Sequence, residues 1–523
     1  MTAASAAPTQ KGILGWIEKT GNKLPDPVFI FILLIIILMA GSVVAAMMGL
    51  SVTHPINKDE SGAPVIIAAQ SLFSPENLNK LWVDMPTTFT HFHPLGYVLV
   101  VLLGSGVAEK TGLFAAAMRA GVRGAPTFLL TPIIALVAMV GNLAADAAYV
   151  VLIPLAGLLY AAVGRHPIAG IATAFAGVSG GFSANLFPGQ LDALLLGITE
   201  PAAELLLPGW DANFAGNWFF IAGMTVFFLP AIWFVTDVII EPRLKKQVMP
   251  EEAQALAGTD ADLSGNEKRG LLWAGLAILF VVGIWLVLTL GPGTPLIDEA
   301  ADEGAQMSPF YKSLVGGFFL LFLLSGWAYG AAVGTVKSHR DIVQMMSESM
   351  GTMAYFLVLA FFIAHFVAMF SWSNLGLILA VNGADFLKSQ DMPLPLLLAA
   401  IVAFSALTNI LIGSASAKWA LMAPILVPML MLLGVSPEMT TAAYRVGDGV
   451  TNIITPLMVY FPLILTFCQR WNKDFGLGSL MALMIPYSVA LMIFGVAIVV
   501  GWAYFEWPLG PGAEVRFTLP TQP

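Results

Sequence analysis

Between Leu407 and Leu463 the chain twice sets polar side chains inside long apolar sequence. In TNILIGSASAKWALMAPILVPML, Ser414, Ser416, Lys418 and Trp419 separate two hydrophobic legs. In YRVGDGVTNIITPLMVYFPL, Arg445, Asp448, Thr451 and Asn452 precede Pro456. A bilayer tolerates polar groups and interrupted helices at depth only where they line a cavity or pack inside protein. This stretch therefore reads as a substrate or ion site at membrane depth.

The arrangement occurs once earlier, in TPIIALVAMVGNLAADAAYVVLIPLAG followed by HPIAGIATAFAGVSGGFSANLFPGQLDALLLG. Pro188 and Pro456 are 268 positions apart, as are Ser183 and Thr451, while Gly141 and Gly413 are 272 apart. A polar-tipped hairpin followed by a helix broken near Ser/Thr and Pro thus recurs at nearly one offset. Paired Gly/Pro-interrupted segments of this kind mark an internally repeated transporter and point to its binding site.

The 523 residues are 58% hydrophobic and 11% charged, with apolar segments along the whole length, so the chain reads as an all-α polytopic membrane protein. The first apolar run is too long for the hydrophobic part of a cleavable signal peptide. A single cysteine excludes internal disulfides and cysteine-based metal clusters. The net charge of −9 is spread over loops and does not suggest nucleic acid. No Gly-rich loop ending in Gly-Lys-Ser/Thr is present, which argues against ATP-driven transport.

The expected organisation is an N-terminal cytoplasmic segment at 1–26 and scaffold helices at 27–125. A first repeat of hairpin, broken helix and span covers 126–240. A cytoplasmic linker at 241–269, further scaffold helices at 270–393, a second repeat at 394–507 and a tail at 508–523 follow. With the N-terminus inside, the basic segments near 119, 165, 245, 337 and 470 all fall inside, and the acidic loops near 59 and 300 fall outside. Nine transmembrane helices and two re-entrant hairpins satisfy this pattern and make the repeats inverted. Each hairpin leg has 16–19 residues, about 24–28 Å of helix, so either hairpin could also be a pair of full spans.

Asp192 follows Pro188 in an apolar run without a basic residue within ten positions. An ionised carboxylate is costly there, and a group able to exchange a proton suits proton coupling. Capping of its own broken helix is the plainer reading. Arg445 and Asp448 are three apart on one helix face. They fit a structural ion pair, or a grip on a substrate carboxylate by the guanidinium. Asn185 and Asn452, with Ser183 and Thr451, stand in the two breaks, where amides and freed carbonyls suit a sodium ion or substrate. Ser416 and Trp419 at the second hairpin tip could contact an aromatic substrate, although Trp419 also fits ordinary packing. Asp146 and Asn142 take the matching place in the first hairpin, and His365 reads as a packed histidine.

These stretches resemble the p-aminobenzoyl-glutamate transporter (AbgT) family of bacterial membrane proteins. The resemblance is carried by GNKLPDPVFIF at 21–31, GNLAADAAYVVLIPLAG at 141–157, AGVSGGFSANLFPGQLDALLLGIT at 176–199, GSASAKWALMAPILVPMLMLLGVSPE at 413–438 and YRVGDGVTNIITPLMVYFPL at 444–463. It implies a homodimer of inverted-repeat subunits in the bacterial inner membrane. It also implies movement of p-aminobenzoyl-glutamate and efflux of sulfonamide antimetabolites. Functional positions carried over are Asp192, Ser416, Trp419, Arg445, Asp448 and Pro456. No cofactor beyond a coupling proton or sodium ion is expected, and the partners are a small-molecule substrate and the lipid bilayer. The competing readings are sodium- or proton-coupled uptake of aminobenzoyl-glutamate or a dicarboxylate, and a membrane hydrolase using Ser416 with Lys418.

Overall fold

The computed structural model describes residues 26–58, 64–122, 126–144, 148–211, 213–245, 263–290, 293–300 and 306–519. Asp146, most of the N-terminal segment and most of the 241–269 linker lie outside them.

Helices α1 (Pro27–Met47), α10 (Trp218–Leu244), α11 (Gly265–Thr289), α12 (Ser308–Val333), α14 (Ala354–Trp372), α16 (Leu394–Leu411) and α20 (Leu477–Phe505) are each long and apolar enough to cross a bilayer. Helices α4 (His93–Lys110) and α5 (Leu113–Val122), bent by 66° at Thr111–Gly112, raise the number to eight if the pair is one span. The count of nine therefore does not follow from length and apolarity. One of these seven, α16, is a hairpin leg, and a count of nine adds the two broken helices. Large apolar side chains stay exposed on several of the long helices, among them Ile37 on α1, Leu279 and Val287 on α11 and Ile493 on α20. Apolar surface on all sides of a helix fits lipid rather than water.

The first hairpin pairs α6 (Leu130–Val140) with a π-helical turn (Ala148–Leu152) running into α7 (Ile153–Ala162). The second pairs α16 with α17 (Ala415–Met431). The first broken helix is α8 (Pro167–Phe175) with a π-helical end (Ala176–Gly180), a gap over residues 181–189, and α9 (Gln190–Glu204). The second is α18 (Pro437–Val450), a gap over residues 451–460, and α19 (Phe461–Gln469). Both broken helices start at a proline behind a side-chain cap, supplied by His166 and by Ser436. Each repeat then ends in a long span, α10 or α20. The repeats pack into one core around Ile171, Phe228, Val402, Val446, Tyr487 and Leu491.

The two breaks touch at the centre. The Asn452 amide donates to the Ser179 carbonyl at 3.3 Å. A Cβ on Gly449 would lie 3.1 Å from the Gly180 carbonyl, so the backbones meet where neither has a side chain. At one end of the bundle Arg119 pairs with Glu267 at 2.5 Å, and Arg165 bridges Asp237 and Glu241 at 2.5 Å each.

Several features depart from the sequence expectation. The polar stretch after α1 forms an antiparallel hairpin of β1 (Ser51–Lys58) and β2 (Pro64–Ala68), then the short helices α2 (Pro75–Val83) and α3 (Met85–Thr90). β-Branched residues in SVTH and PVII favour the strands. Within the expected scaffold, the basic segment near 337 leads into α13 (His339–Thr352), with Ser338 and Asp341 forming a capping box. An unanticipated helix, α15 (Leu375–Ser389), fills the connection to the second hairpin. The C-terminal residues act as a strap. The Leu509 carbonyl accepts from Phe220 N–H at 3.0 Å, and the Val515 carbonyl accepts from Ser436 N–H at 3.0 Å. This ties the starts of α10 and α18 together across the repeats.

Candidate transport site

The four ionisable side chains at the breaks and the second hairpin tip form two pairs, and neither is the one their spacing suggested. Arg445 does not bind Asp448, three residues along α18. Its Nη1 donates to Asp192 Oδ1 on α9 at 2.6 Å and reaches Asn217 Oδ1 at 3.5 Å. Asp448 instead receives Lys418 Nζ from α17. All four groups are buried, with exposures of 2% for Arg445, 8% for Asp192, 1% for Lys418 and 2% for Asp448. Charges this deep persist only when paired and hydrogen-bonded.

Asp192 is therefore not the isolated carboxylate that its local sequence suggested. Its basic partner lies 253 positions away, in the other repeat. The capping expectation is met as well. Asp192 Oδ2 accepts from the Gly189 N–H at 2.7 Å, at the start of α9. One carboxylate thus caps the broken helix of the first repeat and binds the broken helix of the second.

The Asp192–Arg445 pair lines a cavity of about 30 Å³ with Thr199, Asn217, Glu438 and Thr441. That volume holds about one water, whereas sites for drug-sized ligands measure about 300–1,000 Å³. The conformation is thus closed around the pair. Arg445 Nε is buried without a partner among the described residues, a donor in reserve beside this cavity.

Trp419 does not line the cavity. It is fully buried one layer behind, its ring stacked on Tyr444 with centroids 4.4 Å apart. Its Nε1–H donates to Thr199 Oγ1 at 2.9 Å, and Thr199 and Thr441 hydroxyls meet at 3.0 Å. In this state it is the packed aromatic of the plainer reading, one hydrogen bond from the cavity wall. Ser416 lies at the hairpin tip, its hydroxyl 3.3 Å from that of Ser414, which caps α17. Lys418 is committed to Asp448 and Asn409, so the Ser416–Lys418 couple that hydrolysis needs is not formed. Pro456 stands in the second gap beside Thr455, whose hydroxyl donates to the Ile410 carbonyl at 3.2 Å.

The break asparagines are occupied by their surroundings. Asn185 Oδ1 accepts from Leu186 N–H at 2.8 Å, and its amide donates to the Met139 carbonyl at 3.4 Å. Asn452 Oδ1 accepts from Asn409 Nδ2 at 2.8 Å. Thr451 Oγ1 accepts from the same Asn409 amide at 2.9 Å. Ser183 Oγ is buried with no partner among the described residues. His365 Nδ1 lies 2.7 Å from the Phe361 carbonyl, which fits a packed histidine. Two contributors escaped the sequence reading: Asn409, which gathers Asp448, Thr451, Asn452 and Lys418, and Asn217, between Arg445 and the Glu438 carbonyl. An asparagine in the apolar run before Gly413 was a visible signal for the first. Asn217 precedes its span in a loop-like context and gave none.

Duplicated broken helices, polar-tipped hairpins and a charge pair joining the two halves define a multi-pass membrane transporter of the inverted-repeat class. The chain belongs to the AbgT putative transporter family, whose profile matches residues 12–517. It is 34% identical over 512 residues, 98% of either chain, to the p-aminobenzoyl-glutamate transport protein of Escherichia coli K12. Among solved structures it is similar to the YdaH transporter of Alcanivorax borkumensis, with 40% identity and a TM-score of 0.86 over 93% of this chain and all of that one. It is also similar to MtrF of Neisseria gonorrhoeae, described as illuminating a class of antimetabolite efflux pumps, with 41% identity and a TM-score of 0.88 over 96% of this chain and all of that one.

Proposed function

We propose that this protein is a proton-coupled secondary transporter of the bacterial inner membrane. It exports sulfonamide antimetabolites and p-aminobenzoyl-glutamate-like folate catabolites. The observation that carries this reading is the buried Asp192–Arg445 pair joining the broken helices of the two repeats. A proton on Asp192 removes the charge that holds Arg445, and its loss restores the grip. A substrate carboxylate can take the guanidinium in place of Asp192. The pair is thus a two-state contact that a proton gradient and a substrate both bias. Trp419, Ser416 and Pro456 belong to the substrate path that opens when the pair parts, with the indole as a wall for an aminobenzoyl ring. The relatives named for p-aminobenzoyl-glutamate transport and antimetabolite efflux support the substrate class.

Arg445→Ala is expected to weaken binding of p-aminobenzoyl-glutamate at least tenfold more than binding of a neutral sulfonamide, because only the former offers an anion. Equilibrium binding to purified protein checks this. Equal losses for both ligands would remove Arg445 from substrate recognition.

The assembly is a homodimer with the N-terminus and the 241–269 linker cytoplasmic. The motive is the linker's lysines and arginines. A cysteine introduced at Asp260, in a chain whose Cys468 is replaced by Ser, should resist membrane-impermeant thiol reagents in intact cells. Ready labelling from outside would reverse the orientation.

A further inference from the structure

Two helices end at the same place. Asn409 lies in the last turn of α16 and Asp448 in the last turn of α18, and Asn409 Nδ2 donates to the Asp448 carbonyl at 2.7 Å. Helix C-termini carry partial negative charge, and the Asp448 carboxylate adds a full one. Tyr444 directs its hydroxyl to the Ala415 carbonyl at 2.5 Å and lies 3.4 Å from Asp448 Oδ1. The result is a buried focus of oxygen atoms and negative potential beside an interrupted helix. In inverted-repeat transporters unwound backbone and half-helix C-terminal ends coordinate a coupling cation, and hard cations take oxygen ligands.

Here the positive charge is covalent. Lys418 Nζ donates to Asn409 Oδ1 and Asp448 Oδ1, and the side chain is 1% exposed. Its position in the first turn of α17 sets a cation at the positive end of a helix, the wrong sign for the helix itself. The placement is explained by what the ammonium meets. The feature belongs to the second repeat alone. At the offset relating Gly141 to Gly413, Lys418 corresponds to Asp146, and at the offset relating Pro188 to Pro456, Asp448 corresponds to Gly180.

We infer that the Lys418 ammonium is a tethered cation that holds the position a sodium ion would need at the second break, and that it makes this transporter sodium-independent. The inference deepens the proton-coupled reading and rests on it. Lys418 acts as a specificity-determining residue for the coupling ion. Removing the side chain leaves Asn409 Oδ1, the Asp448 carboxylate and the Tyr444 hydroxyl around a vacated space, which is an oxygen site for a free cation.

The test reads stability of the purified full-length protein, not flux, so a failure of the transport reading and a failure of this one are separately visible. Melting is followed in sodium chloride and in N-methylglucamine chloride at equal ionic strength. The wild type is expected to shift by no more than about 1 °C between salts, and Lys418→Ala to be less stable in N-methylglucamine and to regain on the order of 3 °C with sodium. Lys418→Met combined with Asp448→Asn, which has no charge to balance, is expected to ignore sodium. Recovery of Lys418→Ala as folded protein only in sodium would also support the inference. A wild type stabilised by sodium, a Lys418→Ala variant indifferent to it, or one that cannot be recovered in either salt, overturns it.

Discussion

Asp192→Asn is expected to abolish transport driven by a proton gradient and to lower thermal stability at the same time. The amide retains an oxygen for the Gly189 N–H, so the start of α9 keeps its cap. What it cannot supply is charge. Arg445, 2% exposed, is left without a counter-ion, and breaking a buried pair from one side costs about 3–5 kcal/mol. Asp192→Asn combined with Arg445→Gln removes both charges, and it is expected to recover most of the stability while remaining inactive. Melting of the purified variants beside proteoliposome flux separates the two effects. Normal gradient-driven flux in the single variant would reduce Asp192 to a helix cap. The coupling role would then pass to Asp448 or to an ion near Asn185 and Asn452.

The second large effect is expected at Gly447, between Arg445 and Asp448 on α18. A Cβ there would lie 2.3 Å from the Val402 carbonyl oxygen and 2.9 Å from the Ala406 nitrogen, both backbone atoms of α16. Backbone cannot swing aside as a flexible side chain does, so Gly447→Ala must push α16 away from α18. Overpacking of this kind costs about 1–3 kcal/mol or more. It also pulls on the Ser405 hydroxyl at the Tyr444 carbonyl and on Asn409 at Asp448. Small residues let membrane helices approach this closely. The expected result is loss of monodisperse protein or a clear drop in melting temperature. Gly275→Ala on lipid-facing α11, where nothing lies within 4 Å, should melt like the wild type. Equal behaviour of the two would refute the tight α16–α18 contact.

The repeats, the hairpins and the breaks were legible in the sequence because each is written locally. Polar residues interrupt apolar runs, Gly and Pro mark the interruptions, and the offset repeats. Pairing was not legible. Arg445 and Asp448 share a helix face, and local spacing makes them partners. Yet each has a closer partner from another element, Asp192 on α9 and Lys418 on α17. Ion pairs in a membrane core are set by which helices cross, and nothing in a run of residues states the crossing. The same limit hid the role of Asn217 and the stacking of Trp419 on Tyr444. Helix α15 escaped for another reason: LGLILAVNGADFLKS is too short and too mixed to register as a span.

The central claim is that a proton gradient drives substrate through the site closed by Asp192 and Arg445. Purified wild-type protein in liposomes, loaded with radiolabelled sulfonamide, tests it most directly under an imposed pH gradient and, separately, an imposed sodium gradient. The account predicts flux that follows the pH gradient, collapses with a protonophore and is unchanged by sodium. Flux that follows the sodium gradient, or that ignores both, would contradict it.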